Sequence, residues 1–77
     1  MTAKEVISVD SDILGGTPVF VGTRVAIQTL FDYLEVSSLN DFLQGYPSIS
    51  REQAEVVIGS ASRLLNEFST QYEGVAQ

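Results

Sequence analysis

The spacing of apolar residues along this chain changes near residue 26, from short strand-like runs to a helical repeat. Val6, Ile7 and Val9 form the first run, and Pro18–Val21 forms the second. β-Branched and aromatic residues favour extended backbone because their side chains pack well on a pleated surface. The two runs therefore predict a β-ribbon over residues 6–25.

Glycine and proline supply the turns of this ribbon. Gly15 and Gly16 allow positive φ, and Pro18 fixes an extended entry to the second strand. Gly22 then closes that strand. We therefore expect the chain to bend once before the second strand and once after it.

Three helices are predicted in residues 26–72, because apolar residues recur there at intervals of three and four. The repeating positions are Ile27, Leu30, Phe31 and Leu34, then Leu39, Phe42, Leu43 and Tyr46, then Ala54, Val57, Ile58, Ala61, Leu64, Leu65, Phe68 and Tyr72. The apolar stripe of the third helix is longer than the first two helices could cover. Such an excess of apolar length is what a contact with another subunit would require. Residues 73–77 are expected to be frayed.

Polar residues mark the helix ends. The first helix is expected to end at about Val36, and either Ser37 or Ser38 can cap the second. Ser50 and Gln53 have the spacing of a capping box, so the third helix should begin there. The predicted fold is mainly α, with a short N-terminal β-ribbon followed by a three-helix unit, in one domain covering residues 1–77.

The composition limits the possible functions. The chain has 77 residues, no cysteine and no histidine, which excludes disulfides and removes the usual ligands of transition metals. Asp10 and Asp12 are two carboxylates only, too few for calcium, so we interpret them as turn caps. With Lys4 as the one lysine, we predict a protein that is not an enzyme and uses no cofactor, metal or small-molecule ligand.

Size and ribbon edges both predict self-association. A domain this short buries only about 60% of its unfolded surface, so a lone copy would be marginally stable. An isolated ribbon also leaves unpaired backbone groups at its edges. We therefore expect a homodimer.

The charge balance favours a basic protein partner. Four lysines and arginines stand against ten carboxylates, and the net charge is −6. Nucleic-acid binding usually needs a basic patch that displaces counterions from phosphates. The first residues lack a basic leader and no apolar run approaches the roughly 18 residues of a membrane helix, so we expect a cytoplasmic protein that does not contact a membrane.

Several side chains are candidates for partner contacts. Asp32, Glu35 and Asp41 are carboxylates on the predicted polar faces, and Tyr33 lies off the stripe of its helix as a predicted exposed anchor. Arg24 follows the strand-closing glycine, and two readings remain open. It pairs either with a carboxylate of a partner or of the other copy in a dimer, or within its own chain with Asp10, with Asp12 or with a carbonyl of the glycine turn.

The second and third helices, with their short connection, have the order of a helix-turn-helix unit. In that arrangement Arg51 and Gln53 would meet bases or phosphates. Glu52 and Glu55 put negative charge in the same place, so we favour the interpretation in which these polar residues cap the helix and face water.

The order of several short motifs resembles a known family. They are Gly15-Gly16-Thr17-Pro18-Val19-Phe20, Gly22-Thr23-Arg24-Val25, Leu30-Phe31-Asp32-Tyr33-Leu34, Asp41-Phe42-Leu43 and Tyr46-Pro47-Ser48-Ile49-Ser50. Together they resemble the domain of unknown function family 433, over roughly Ile7–Leu65.

The resemblance implies a homeodomain-like helix-turn-helix fold and an antitoxin-like protein that binds and neutralises a PIN-like ribonuclease toxin. The alternative that it implies is a helix-turn-helix regulator that binds DNA, including the promoter of its own operon. The resemblance implies no catalytic residues.

Overall fold

The computed structural model describes the backbone of residues 1–72 and the side chains of residues 1–63. It is mainly helical, with a small antiparallel sheet near the N-terminus. The elements are α1 (Ala3–Val6), β1 (Ile7–Ser8), a 3-10 turn (Leu14–Gly16), β2 (Val19–Phe20), α2 (Ile27–Val36), α3 (Leu39–Gly45) and α4 (Arg51–Tyr72). The predicted ribbon followed by three helices is confirmed.

The first predicted strand is shorter than expected because its start is helical. Val6 ends α1, a four-residue helix in which Glu5 bonds back to the backbone N–H of Thr2 at 2.9 Å. A single turn is too short to show a helical repeat, so the apolar pattern could not reveal it. The capping pair of Thr2 and Glu5 was the available signal.

Strand β2 is paired on both sides. It runs antiparallel to β1, with Ile7 opposite Phe20 and Ser8 opposite Val19. On its other edge, Phe20 N–H donates to the Val25 carbonyl at 2.9 Å, and Val19 pairs with Ala26. After the turn at Gly22, the chain is therefore extended again at Val25 and Ala26, just before the start of α2.

The turns use the predicted residues. Gly15, Gly16 and Gly22 have φ of 66°, 92° and 77°, values that favour glycine. Asp12 N–H donates to Asp10 Oδ1 at 2.8 Å, so Asp10 caps the turn after β1. Leu14, which the sequence did not single out, also has a positive φ, at 50°.

The predicted caps begin α3 and α4. Ser38 Oγ accepts from the Asp41 backbone N–H at 3.1 Å. At the start of α4, Ser50 Oγ accepts from Gln53 N–H at 3.1 Å, and Gln53 Oε1 accepts from Ser50 N–H at 2.8 Å. These bonds satisfy backbone donors that have no partner inside the helix.

The core lies where the ribbon meets the three main helices. The buried residues of this core are Val6, Phe20, Leu30, Phe42, Ile49, Ala54 and Val57. Phe42 is at the centre of an aromatic group, with ring centroids 6.1 Å from Phe20, 5.6 Å from Tyr33 and 5.0 Å from Tyr46. The predicted stripe of α4 is confirmed through Ala54 and Val57, while its positions from Leu64 onward and the predicted frayed tail lie outside the described side chains.

Candidate protein-binding surface

Five exposed carboxylates lie on α2, on α3 and in the first two turns of α4, and we call this set of side chains the acidic corner. Its residues are Asp32, Glu35, Asp41, Glu52 and Glu55, and all five are exposed. The Ser37 hydroxyl donates to the Asp41 carboxylate, which joins the end of α2 to α3. The Arg51 guanidinium donates to Asn40, which joins α3 to the first turn of α4. These contacts place the three helix ends side by side.

Two of the corner carboxylates are held in place by neighbouring side chains. Gln28 Nε2 donates to Asp32 Oδ1 at 3.0 Å, one turn earlier on α2. The Ser37 hydroxyl, with smaller contributions from Ser38, lowers the pKa of Asp41. A hydrogen bond to the charged form favours that form, so Asp41 is ionised at neutral pH.

An exposed apolar side chain lies next to one carboxylate of the acidic corner. Val36 is the last residue of α2, and 87% of it is exposed, the highest value among the exposed large apolar residues of the described chain. It directly follows Glu35 and precedes Ser37, the residue that binds Asp41. The corner therefore combines negative charge with one accessible aliphatic group, and the sequence pattern alone did not single out Val36.

Arg51 and Gln53 lie in the first turn of α4, as predicted, and both are bound to their own chain. Arg51 contacts Asn40 and lies 4.0 Å from the Glu55 carboxylate. Gln53 is half-buried, and its Oε1 accepts from the Ser50 backbone. This geometry matches the capping interpretation, and DNA contact by these residues remains a prediction.

Tyr33 is not the exposed anchor that its position off the stripe indicated. It is half-buried, with ring centroids 5.6 Å from Phe42 and 5.8 Å from Tyr46, both edge to face. Its spacing of three from Leu30 was the overlooked signal, because residues three apart share a helix face. The expectation was wrong because α3 packs beside α2 and covers more than one stripe of it.

Arg24 is exposed on a turn that is fixed by Thr23. The Thr23 hydroxyl donates to the Phe20 carbonyl at 2.8 Å and accepts from Val25 N–H at 3.0 Å. Among the side chains of residues 1–63, no carboxylate lies within ion-pair distance of Arg24. Of the two readings left open, the intrachain pair with Asp10 or Asp12 is therefore not formed.

Among residues 1–72, no helix combines the length and the apolar composition needed to cross a membrane.

Comparisons with known proteins identify the family of the chain. No curated protein and no solved structure matches it. A family model described as "Protein of unknown function (DUF433)" matches residues 7–59. This match begins at β1, extends into α4 and includes all five carboxylates of the acidic corner. It covers well over half of the chain, which therefore belongs to the DUF433 family.

Proposed function

We propose that this chain is a non-enzymatic, antitoxin-like protein that binds and neutralises a PIN-like ribonuclease through the acidic corner. The observation that carries the proposal is the set of five exposed carboxylates on α2, α3 and the start of α4, together with the exposed Val36 at the end of α2. The resemblance to antitoxin-like proteins supplies the class of partner, and the charge of the surface supplies the chemistry.

A carboxylate surface suits a ribonuclease because it is anionic, as is RNA, the substrate of the enzyme. A nuclease holds RNA phosphates with lysine and arginine side chains, and carboxylates can pair with the same groups. Asp32 and Glu35 are three residues apart on α2, so they lie on neighbouring positions of one helix face. Opposite charges across an interface also speed the first encounter of two proteins.

Charge alone gives little affinity, and Val36 supplies an apolar contact. Exposed ion pairs are each worth about 0–1 kcal/mol, because solvent screens them. Binding energy in protein interfaces is concentrated in a few side chains that become fully desolvated. Val36 follows Glu35 and lies one turn after Asp32 on α2, so it is placed to become such a side chain when a basic surface covers these carboxylates.

The test is co-expression of the full chain with the product of the adjacent gene. We expect the two proteins to co-purify at about 150 mM salt, where the Debye length is about 8 Å, and RNA cleavage by the partner to be suppressed. Glu35→Lys should weaken binding about tenfold, which corresponds to about 1.4 kcal/mol. Val36→Ser should also weaken binding, because it removes the apolar contact without changing the charge of the surface.

Asp12→Lys is the matched control. Like Glu35, Asp12 is exposed and its carboxylate makes no hydrogen bond within the described side chains, and the charge change is the same. The control should bind like the unaltered chain. If both variants lose affinity equally, net charge and not the corner is responsible. If the unaltered chain does not bind the adjacent gene product, the proposed function is wrong.

A second candidate function is DNA binding through α4, because Arg51 lies in its first turn with about half of its side chain exposed. A mobility shift with DNA from upstream of the gene tests this function. Loss of the shift in Arg51→Ala would support it. Absence of a shift at low salt, where phosphate contacts are strongest, would exclude it.

A further inference from the structure

We propose that an apolar groove beside α2 binds an arginine side chain of the basic partner. This surface, here called the α2 groove, is lined by Thr17, Pro18, Ile27, Gln28 and Phe31 and has a volume of about 310 Å³. The inference rests on the proposed function and deepens it, because it names the group of the partner that is recognised and the place where that group binds.

The floor of the α2 groove is apolar and fixed. Ile27 and Phe31 lie one turn apart on α2, both are half-buried, and both pack against the core cluster as well as lining the groove. The Pro18 carbonyl, just before β2, accepts from the Ile27 backbone N–H at 3.0 Å. The groove is therefore formed before a ligand arrives, and binding needs little further ordering of the chain.

The size of the α2 groove suits one side chain. Pockets for whole small molecules have volumes of about 300–1,000 Å³, and this groove is at the lower end of that range. Among the residues with described side chains, no aromatic ring pairs with Phe31. The groove side of that ring is therefore open to a planar group from a ligand.

A carboxylate is held beside the α2 groove by one of its walls. Gln28 Nε2 donates to Asp32 Oδ1 at 3.0 Å, which places Asp32 one hydrogen bond from a side chain that lines the groove. A carboxylate can accept more than one hydrogen bond, so Asp32 keeps acceptor capacity for a ligand. No lysine or arginine within residues 1–63 lies at ion-pair distance from Asp32. The chain thus offers a positioned negative charge at this point.

The charge lies at one end of the α2 groove. Glu35 is one turn after Phe31 on α2, and side chains of a helix lean toward its N-terminus, so Glu35 leans toward the Phe31 ring. Glu35 is also in the last turn of α2, where the carbonyl end of a helix favours a cation. A ligand should therefore place its apolar part near Ile27 and its positive charge near Asp32 and Glu35.

An arginine side chain has the chemistry that this arrangement requires. Its methylene groups can cover apolar surface while its charged end stays polar. Its planar guanidinium can stack on the Phe31 ring and donate paired hydrogen bonds to the Asp32 carboxylate. Lysine has a compact charge that does not stack in this way, and the same carboxylates would repel a phosphate. The net charge of −6 also favours a basic ligand.

The experiment is an NMR titration of the full, isotope-labelled chain with N-acetyl-arginine amide up to about 10 mM, since a ligand of this size binds in the millimolar range. Backbone amide shifts should change and saturate at Ile27, Gln28, Phe31 and Asp32. The citrulline analogue has nearly the same shape without the charge, and the lysine analogue has the charge without the planar group. Both should bind at least about threefold more weakly.

Two substitutions test the two parts of the α2 groove. Phe31→Leu keeps an apolar side chain but removes the ring, so the probe should bind about two- to fivefold more weakly. Asp32→Asn removes the charge and should weaken binding about three- to fivefold. Asp12→Asn is the matched control, because it removes one exposed carboxylate away from α2, and it should bind the probe like the unaltered chain. The amide spectrum of each variant shows whether it is folded.

Several results would overturn this inference. They are shifts that do not saturate, a citrulline analogue that binds as tightly as the arginine probe, and equal effects of Asp32→Asn and Asp12→Asn. Groove amides that shift on dilution of the chain without any probe would show that a second copy occupies the groove, which would also contradict an arginine of the partner as the occupant.

Co-purification separates failure of this inference from failure of the proposed function. If the adjacent gene product binds the unaltered chain and a variant with both Phe31→Leu and Asp32→Asn equally well, the proposed function stands and this inference is wrong. If the arginine probe binds the α2 groove but the adjacent gene product does not bind the chain, the proposed function is wrong, and the groove is a site for arginine from another basic protein.

Discussion

Replacement of Phe42 by alanine should remove a large part of the stability of this chain. Phe42 is fully buried, and its ring contacts the rings of Phe20, Tyr33 and Tyr46. Loss of a buried phenylalanine costs about 3–5 kcal/mol, because apolar contacts are lost and a cavity remains. Three ring pairs, each worth about 0.5–1.5 kcal/mol beyond buried area, place the expected loss near the upper end, at about 4–5 kcal/mol.

That loss is large for a domain of this size. At about 0.05–0.15 kcal/mol per residue, a 77-residue chain is stable by about 4–12 kcal/mol. The assay is urea unfolding followed by far-ultraviolet circular dichroism, at one fixed protein concentration because association raises apparent stability. We expect Phe42→Ala to be partly unfolded in the absence of urea or to show a much lower midpoint.

Phe31→Ala is the matched control. Phe31 is on α2, is half-buried, and makes no ring pair among the described residues. Partial burial predicts a smaller loss of about 1–2 kcal/mol. A loss below about 1.5 kcal/mol for Phe42→Ala, or one no larger than that of the control, would refute the reasoning that this ring supports the core.

Three further predictions concern a turn, a cap and a carboxylate. Gly22→Ala should cost about 1–2 kcal/mol from backbone strain alone, since φ is 77° and an added Cβ would meet no atom within 4 Å; an unchanged thermal midpoint would contradict this. Ser50→Ala should lose about 1 kcal/mol in urea unfolding through loss of the α4 cap, and an effect below a few tenths would count against that role. Ser37→Ala should raise the pKa of Asp41 toward its ordinary value, measured by NMR titration, while Ser37→Thr should preserve the lowered pKa. Because that pKa is lowered in the folded chain, the hydrogen bond stabilises the fold at neutral pH, and the difference between Ser37→Ala and the unaltered chain should vanish as the pH falls through the lowered pKa; a difference that persists in acid would contradict this.

Local chemistry explains why much of the fold could be predicted. Helix α2 ends at Val36, α3 begins after Ser38, and α4 begins after Ser50, all as the sequence indicated. These boundaries depend on residues within a few positions of each other, such as the reciprocal bonds of Ser50 and Gln53. The positive φ values of Gly15, Gly16 and Gly22 are likewise local properties.

The candidate surface depended on contacts between side chains of different helices and their ends. Asp32 and Asp41 could be identified as polar-face carboxylates, but their grouping needed the bonds from Ser37 to Asp41 and from Arg51 to Asn40. Val36 lies two residues after Leu34 and so off the apolar stripe of α2, but the spacing alone did not show that no other helix covers it. Sequence spacing does not say which helix will lie beside that end.

By itself the sequence determined the order of the elements, their caps and turns, the excess of negative charge and the membership of a family, because each depends on residue types at short spacing. Only the tertiary structure decided that Tyr33 is half-buried, that Arg24 has no carboxylate beside it in the described chain, and that Arg51 is bound by its own chain. The physical reason is that burial and charge pairing depend on which surfaces the packed helices bring together, and that packing is a property of the whole core.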